Sequence, residues 1–416
     1  MKCRGSAAVF LIASCFFASV QLAGCSGGGG GGGGGAPQET SPPGKTFGGP
    51  GNDYGFSVQQ TSDGGYVISG TTNSKGNGKF DAYLIKVDAA GTAIRELVFG
   101  GPGIDSAYDV QQTADGGYVI TGVYSVVNTN PDPSFAIDLA GELFVRKVDA
   151  DFNLLWEKTY ASNIIEQNTC VYTLGYSIRQ TLDGGFIVAG SCSVNVGGGT
   201  AYVIKLDSSG TKVWESSDFF GDEMANGIRQ TSSGGYIVST STRLIKLDSS
   251  GMLDWAQETD GASTPIGGTA QSVCVGGGGE YFISGISNFI EGISPGDLYL
   301  AKYSADGTLL SWEKTFGSQG GDEGFSIQET AGDGVVAVGR GSMIENHLFE
   351  VYMVKTDADG NLQWWKSFGG FGNDVGRSLQ KTSDGGYIIA GYTESKGAGG
   401  YDVYLIKTDK NGNSQW

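Results

Sequence analysis

Short apolar runs recur along the chain with one internal pattern. The stretch from Tyr387 to Thr393, YIIAGYT, is apolar on both faces, as a strand covered on either side requires. Related runs open at Tyr66, Tyr118, Phe186, Tyr236, Tyr281 and Val335, at spacings of 45 to 68 residues. Four strands can be read around the last copies: 376–382, 386–393, 402–409 and, in the preceding unit, 361–368. A Ser-Asp-Gly-Gly turn or a variant of it joins the first two. The third ends in Lys-x-Asp, at Lys86/Asp88, Lys147/Asp149, Lys205/Asp207, Lys246/Asp248, Lys355/Asp357 and Lys407/Asp409. There the Asp opens a short turn closed by Gly, the carboxylate bonding the turn backbone and the Gly supplying positive φ.

Four short strands repeated at a spacing centred near 52 residues suit one blade of a β-propeller better than a helical or leucine-rich repeat. The expected fold is therefore all-β, a seven-bladed propeller of four-stranded antiparallel blades; an open array of the same sheets is the alternative. Seven residues after the Asp stands a Trp in most copies: Trp156, Trp214, Trp255, Trp364 and Trp416, with Trp312 one residue later and Arg95 in the first copy. The string Asp-x-x-Gly-x-x-x-Trp resembles the tryptophan-docking motif of quinoprotein-like propellers, with a turn one residue shorter. The resemblance implies that each Trp packs between blades, where it can bury on the order of 200 Å². Lys45 to Phe47 repeat the residues that follow Trp312, so the two ends of the domain are expected to complete one blade and close the ring. Closure removes the sheet edges that invite aggregation.

The N-terminus falls outside this pattern and reads as a targeting signal. Lys2 and Arg4 precede an apolar run that ends in Leu-Ala-Gly-Cys at Cys25, which resembles the lipobox of bacterial lipoproteins. That likeness implies a signal peptide over residues 1–24, cleavage, and lipidation (palmitate-type acyl chains) at Cys25, each buried methylene contributing about 0.8 kcal/mol to membrane binding. Residues 25–44, with nine glycines from Gly27 to Gly35, form a tether with a reach of roughly 25 Å, and residues 45–416 form the propeller. Ser26 is not the Asp that retains many such proteins in the inner membrane, so an extracytoplasmic outer-membrane or cell-surface location is expected.

A net charge of −18 argues against nucleic acid as a partner and is compatible with cations or plain solubility. Six cysteines become three once Cys3, Cys15 and Cys25 are set aside. Cys170 and Cys192 flank two strands and are a disulfide candidate in an exported protein, with Cys274 a buried free thiol. His347 is the only histidine, which argues against zinc sites and Ser-His-Asp triads. No phosphate-binding loop appears.

Alternating strands put the Ser-Asp-Gly-Gly and Asp-x-x-Gly turns on one face and all the length variation on the other. The insertions at 125–142 and 161–174 gather there, and long loops on a rigid scaffold are where binding residues collect. On the same face Gly-Gly-x-Gly-x-Asp strings end at Asp53, Asp105, Asp322 and Asp374, with a shorter one at Asp222. They resemble calcium-binding RTX repeats without the adjacent copy that would complete a site. Calcium is a weak candidate, and a carboxylate bonding its own loop is preferred.

The unit as a whole is similar to the tandem propeller repeats of uncharacterised bacterial and archaeal surface lipoproteins. The expected role is a monomeric, lipid-anchored scaffold that binds a protein or glycan through the long-loop face, with no cofactor and no assigned catalytic residue. The alternatives are a quinone-dependent or sugar-acting enzyme, whose axial calcium and Asp match no position, and an envelope-assembly component.

Overall fold

A computed structural model describes residues 42–126, 140–160, 172–195, 198–216, 223–259, 267–287, 296–307, 310–317, 320–330, 332, 334–342 and 348–416. These residues form 28 strands and no helix, a total that fits seven four-stranded units. One sheet holds β2 (Asp53–Gln60), β3 (Tyr66–Thr72), β4 (Asp81–Val87) and β5 (Ala93–Phe99). The next holds β6 (Ser106–Gln112), β7 (Tyr118–Val126), β8 (Ala140–Val148) and β9 (Leu154–Tyr160), and after it come β10 (Tyr172–Gln180), β11 (Phe186–Asn195), β12 (Gly198–Leu206) and β13 (Lys212–Ser216). A single parallel pairing of Tyr172 with Gly141 links these two groups into one eight-stranded sheet. The chain continues through β14 (Ala225–Gln230), β15 (Tyr236–Thr240), β16 (Arg243–Leu247) and β17 (Leu253–Glu258), then β18 (Gly268–Val275), β19 (Tyr281–Ser287), β20 (Leu298–Tyr303) and β21 (Leu310–Phe316). It proceeds to β22 (Glu323–Glu329), β23 (Val335–Ser342), β24 (Phe349–Thr356) and β25 (Leu362–Phe368). In the last sheet β26 (Asp374–Lys381), β27 (Tyr387–Thr393) and β28 (Asp402–Thr408) are joined by β1 (Lys45–Phe47), whose Lys45 lies opposite Leu405.

The second strand of each sheet is its core. All seven residues of β3 and of β4 are buried, whereas β5, the outermost strand, is exposed over Ala93–Glu96. Hydrophobic clusters form between successive sheets, such as Val67, Leu84 and Ala82 with Tyr118, Ile120 and Phe144. The last and first sheets share such a cluster too, of Ile388, Ala390, Val403 and Leu405 with Ile68, Tyr83 and Ile85.

The turn between the first two strands explains the repeated Asp-Gly-Gly. Gly64 has φ +83°, open only to glycine at low cost, and a Cβ on Gly65 would stand 2.3 Å from the Val87 carbonyl and 2.6 Å from Lys86 Nζ. Lys86 is buried there and reaches Asp63 at 2.9 Å; Lys147–Asp115, Lys205–Asp183 and Lys407–Asp384 repeat the pair at 2.8–2.9 Å. The lysine of Lys-x-Asp thus ties the third strand to the first turn of its own sheet. Its partner Asp88 accepts from the main-chain N–H groups of Ala90 and Thr92, as turn chemistry demands.

Each Trp of the repeated motif lies against the turn of the following sheet. A Cβ on Gly210 would stand 2.7 Å from the Trp156 ring, on Gly251 2.8 Å from Trp214, on Gly360 2.8 Å from Trp312 and on Gly412 2.9 Å from Trp364. Gly307 meets Trp255 in the same way, and Gly91, in the first sheet, meets Trp416 at 2.8 Å.

Two expected boundaries shift. Strands β7 and β8 extend into the 125–142 insertion, with Ser125 opposite Gly141 and Val126 opposite Ala140, and β10 takes in Tyr172 to Leu174 of the 161–174 loop. Both hairpins lengthen because paired backbone groups are satisfied better than loop ones. Cys192 does not flank the strands but lies inside β11, opposite Thr173.

Candidate functional site

The first strands of the sheets line a central cavity of about 340 Å³. Every one of them carries a β-bulge at the same place: between Gly55 and Ser57, Ala107 and Asp109, Gly175 and Ser177, and correspondingly in β14, β18, β22 and β26. A bulged residue is left out of the ladder and its side chain is re-aimed. Bulged and following residue therefore both face the cavity, and the lining falls into levels. Nearest the long-connection end are the bulged residues Phe56, Tyr108, Tyr176, Asn226, Gln271, Phe325 and Arg377. A serine level follows, then a level of Gln59, Gln111, Arg179, Arg229, Gln328 and Gln380 toward the short turns.

Rings at the first level touch in sequence, Phe56 to Tyr108 at 5.4 Å and Tyr108 to Tyr176 at 5.5 Å between centroids, and the Arg377 guanidinium lies 4.1 Å from the centre of the Phe325 ring. Burial first, and then the neighbouring Tyr172 and Tyr176, push the Tyr108 phenol far above its usual range; burial brings Tyr176 up to about 12. Both stay neutral at physiological pH.

The inner edge would expose unpaired main-chain N–H groups to the cavity, and side chains of the preceding sheet satisfy them. Gln111 Oε1 accepts from Gln180 N at 2.6 Å and Gln328 Oε1 from Lys381 N at 2.9 Å; Gln59 serves Gln112 N and Gln380 serves Gln60 N in the same manner. The next residue bonds backwards, Gln112 Oε1 accepting from Ser62 N, Gln180 from Ala114 N and Gln60 from Ser383 N, each at 2.8 Å. Ser326 and Ser378 hydroxyls accept from Leu379 N and Val58 N. Each such bond contributes about 1 kcal/mol. These glutamine pairs were not singled out in the sequence, although their recurrence as Gln59-Gln60 and Gln111-Gln112 was visible there.

Among the described residues Asp109 is the one carboxylate of the lining. It accepts from Ser57 Oγ at 2.7 Å and Ile178 N at 2.9 Å and pairs with Arg179. A calcium ion of the kind that carries a quinone takes six to eight oxygen ligands. One fully engaged carboxylate does not fit that group, and among the described residues no three His, Cys, Asp or Glu are gathered to hold a metal ion.

The loop aspartates lie away from the cavity, at the long-connection end. Asp53 accepts from Gly49 N at 2.9 Å and Ser74 Oγ at 2.6 Å, Asp374 from Gly370 N at 3.0 Å and Ser395 Oγ at 2.6 Å. Asp105 takes Gly101 N and Ser125 N, and Asp322 takes Ser342 N at 3.1 Å. Each carboxylate thus ties its loop to the next hairpin. The structure also brings second carboxylates near them: the position of a Cβ on Gly48 is within 3 Å of both Asp53 and Asp402, and that on Gly100 within 3 Å of both Asp105 and Asp81.

Cys274 is a buried free thiol, pushed up to about 12 by burial. Cys192 is buried and disulfide-bonded. Its expected partner Cys170, together with Cys25, Asp222 and His347, lies outside the described residues.

No protein-family model matches the chain, and no curated protein matches it. Its likenesses are to solved structures. Sqt1 from Chaetomium thermophilum shares 11% identity at a TM-score of 0.50, covering 90% of this chain and 86% of that one. The WD40 domain of Neurospora crassa Pan2 shares 10% identity at a TM-score of 0.52, covering 88% and 91%. A europium-containing methanol dehydrogenase, at 11% identity, a TM-score of 0.46 and coverage of 83% and 80%, is too distant to transfer its chemistry. At such identities the likeness is one of architecture: all-β, four-stranded antiparallel sheets in a propeller arrangement.

Proposed function

We propose that the protein is a lipid-anchored, extracytoplasmic binding scaffold: a seven-bladed propeller, tethered through Cys25 at the outer membrane or cell surface, that takes a protein or glycan ligand on its long-loop face. Closure of the ring is supported by the last and first sheets sharing the bonds of the junction before them: Gln380 to Gln60 N and Ser378 to Val58 N repeat Gln328 to Lys381 N and Ser326 to Leu379 N. The observation that carries the binding reading is where the surface opportunities coincide. Strand direction puts the ends flanking residues 127–139, 161–171 and 288–295 at one end of the sheets, and the aromatic level of the cavity lies nearest that end.

The test is a pull-down from detergent-solubilised membranes together with a glycan array, using the full chain and a Phe56→Ala/Tyr108→Ala variant. A ligand retained by the native chain and lost from the variant, at unchanged melting temperature, supports the reading. Identical profiles for the two proteins would move the binding surface elsewhere.

A further inference from the structure

One sector of the axial lining abandons the repeat. At the level of Gln59, Gln111, Gln328 and Gln380 the amide oxygen satisfies a main-chain N–H of the next sheet. Arg179 and Arg229 occupy that level in two successive sheets, and a guanidinium has no acceptor to offer. Two junction bonds are given up where glutamine makes them elsewhere. Such local breaks of an otherwise consistent pattern are expected at functional positions. Asp109 stands where Ser57, Ser177, Ser272, Ser326 and Ser378 stand in other sheets, and it pairs with Arg179.

Arg229 has no such counter-ion. Its Nη1 donates to the adjacent Ile228 carbonyl at 2.7 Å, and no carboxylate among the described residues pairs with it. Burial, and then Arg179 beside it, bring the guanidinium down to about 9, which still leaves it cationic at neutral pH. With Arg377 the lining holds, among the described residues, three arginines against one aspartate, inside a chain whose net charge is −18. Walls of one sign around a concave site focus the field on an oppositely charged ligand.

We propose that the axial cavity binds a small organic carboxylate, a sugar acid in size and character, received by Arg229 beside Arg179 with its ring toward Phe56, Tyr108 and Tyr176. The planar guanidinium fork matches the two oxygens of a carboxylate. A volume of about 340 Å³ lies at the small end of ligand sites, and aromatic walls with a few placed polar groups are their usual lining. The site does not depend on the long-loop face having a partner.

The experiment is calorimetric titration of the full chain in detergent with D-glucuronate, D-glucose and sulfate, repeated on Arg229→Gln and Asp109→Ser. Both substitutions install the residue that other sheets carry, so the fold has a ready place for each. Glucuronate is expected to bind the native protein at least tenfold more tightly than glucose or sulfate. Arg229→Gln should lose at least tenfold while its melting temperature stays level or rises, because the new amide can accept from Val275 N. Asp109→Ser should bind severalfold more tightly, since Arg179 is then released from its partner. Should Arg229→Gln fail to fold, Asp109→Ser alone decides. Absence of glucuronate binding, binding unaffected by either change, or Arg229-dependent binding of sulfate alone would each overturn the proposal.

Discussion

Arg95 donates two hydrogen bonds of 2.7 Å to Asp151, one residue before Phe152. Phe152 occupies the turn position that is glycine in the other copies, at φ +66°, and its buried ring packs edge-on against Tyr118 at 5.4 Å. The aromatic that other junctions receive from the preceding sheet comes here from the following one, and an arginine closes over it.

This exchange predicts coupling. Phe152→Gly alone should cost about 2–4 kcal/mol for the emptied pocket, less a small relief of the left-handed backbone. Arg95→Trp alone should clash with Phe152. The double variant restores the Trp–Gly pair of the other junctions and should melt within a few degrees of the native protein; a double-mutant cycle by calorimetry measures the difference.

Closure predicts that the strand at the beginning of the domain matters more than the glycine run before it. Deleting Gly44 to Gly49 removes β1 and should lower the melting temperature by many degrees, while deleting Gly27 to Gly35 should leave it unchanged. Equal melting temperatures would favour an open array.

The turn aspartates predict an acid limb. Partial burial alone would raise Asp384, but bonds from Lys407, Thr382 and Gly386 N outweigh it and bring the carboxyl down to about 2; Asp63, Asp115 and Asp183 behave alike. A depressed carboxylate contributes stability that is present above its ordinary value near 3.8 and lost as pH falls toward 2. Asp384→Asn should therefore be less stable than the native chain at pH 7, by less than about 1 kcal/mol because the carboxylate is largely exposed, with the gap closing by pH 2. Thermal melts across that range check it.

Asp374 has the opposite sign. Burial raises its carboxyl, so its ionised form opposes folding as pH rises through the folded value. One oxygen accepts from Gly370 N and Ser395 Oγ, which an amide oxygen can also do. Asp374→Asn is expected to melt at or above the native temperature at pH 7, and calcium to produce no shift beyond that of magnesium. A calcium-specific rise abolished by the substitution would establish a metal site at these loops.

Anchoring is tested most simply. Cys25→Ser should move the protein from the membrane fraction to the soluble one, and retention after a high-salt wash would reject lipid attachment.

Much of this architecture is legible in the residues themselves. The doubly apolar run at Tyr387, the Asp88 turn and the regular Trp positions each follow from local chemistry that a single repeat displays. The cavity was not legible, because a bulge after Gly55 or Gly376 leaves no mark beyond a small residue, and it decides which side chains face inward. The glutamine staples are hidden because a polar residue at an alternate strand position reads as solvated. Arg229 becomes informative only once the glutamines in its place are known to bond a neighbouring sheet.

Those staples have a direction. The sheets of β2 and β6 each lend acceptors forward from one glutamine and backward from the next, and the junction of β26 with β2 uses the same lending as the junctions of β2 with β6 and of β6 with β10, which the chain crosses in sequence. Hydrogen bonding around the axis therefore carries no memory of chain order. A circular permutant opened in the connection between β4 and β5, with residues 45 and 416 joined by a short linker, would keep every staple and relocate only the point at which the N-terminal residues enter the sheets.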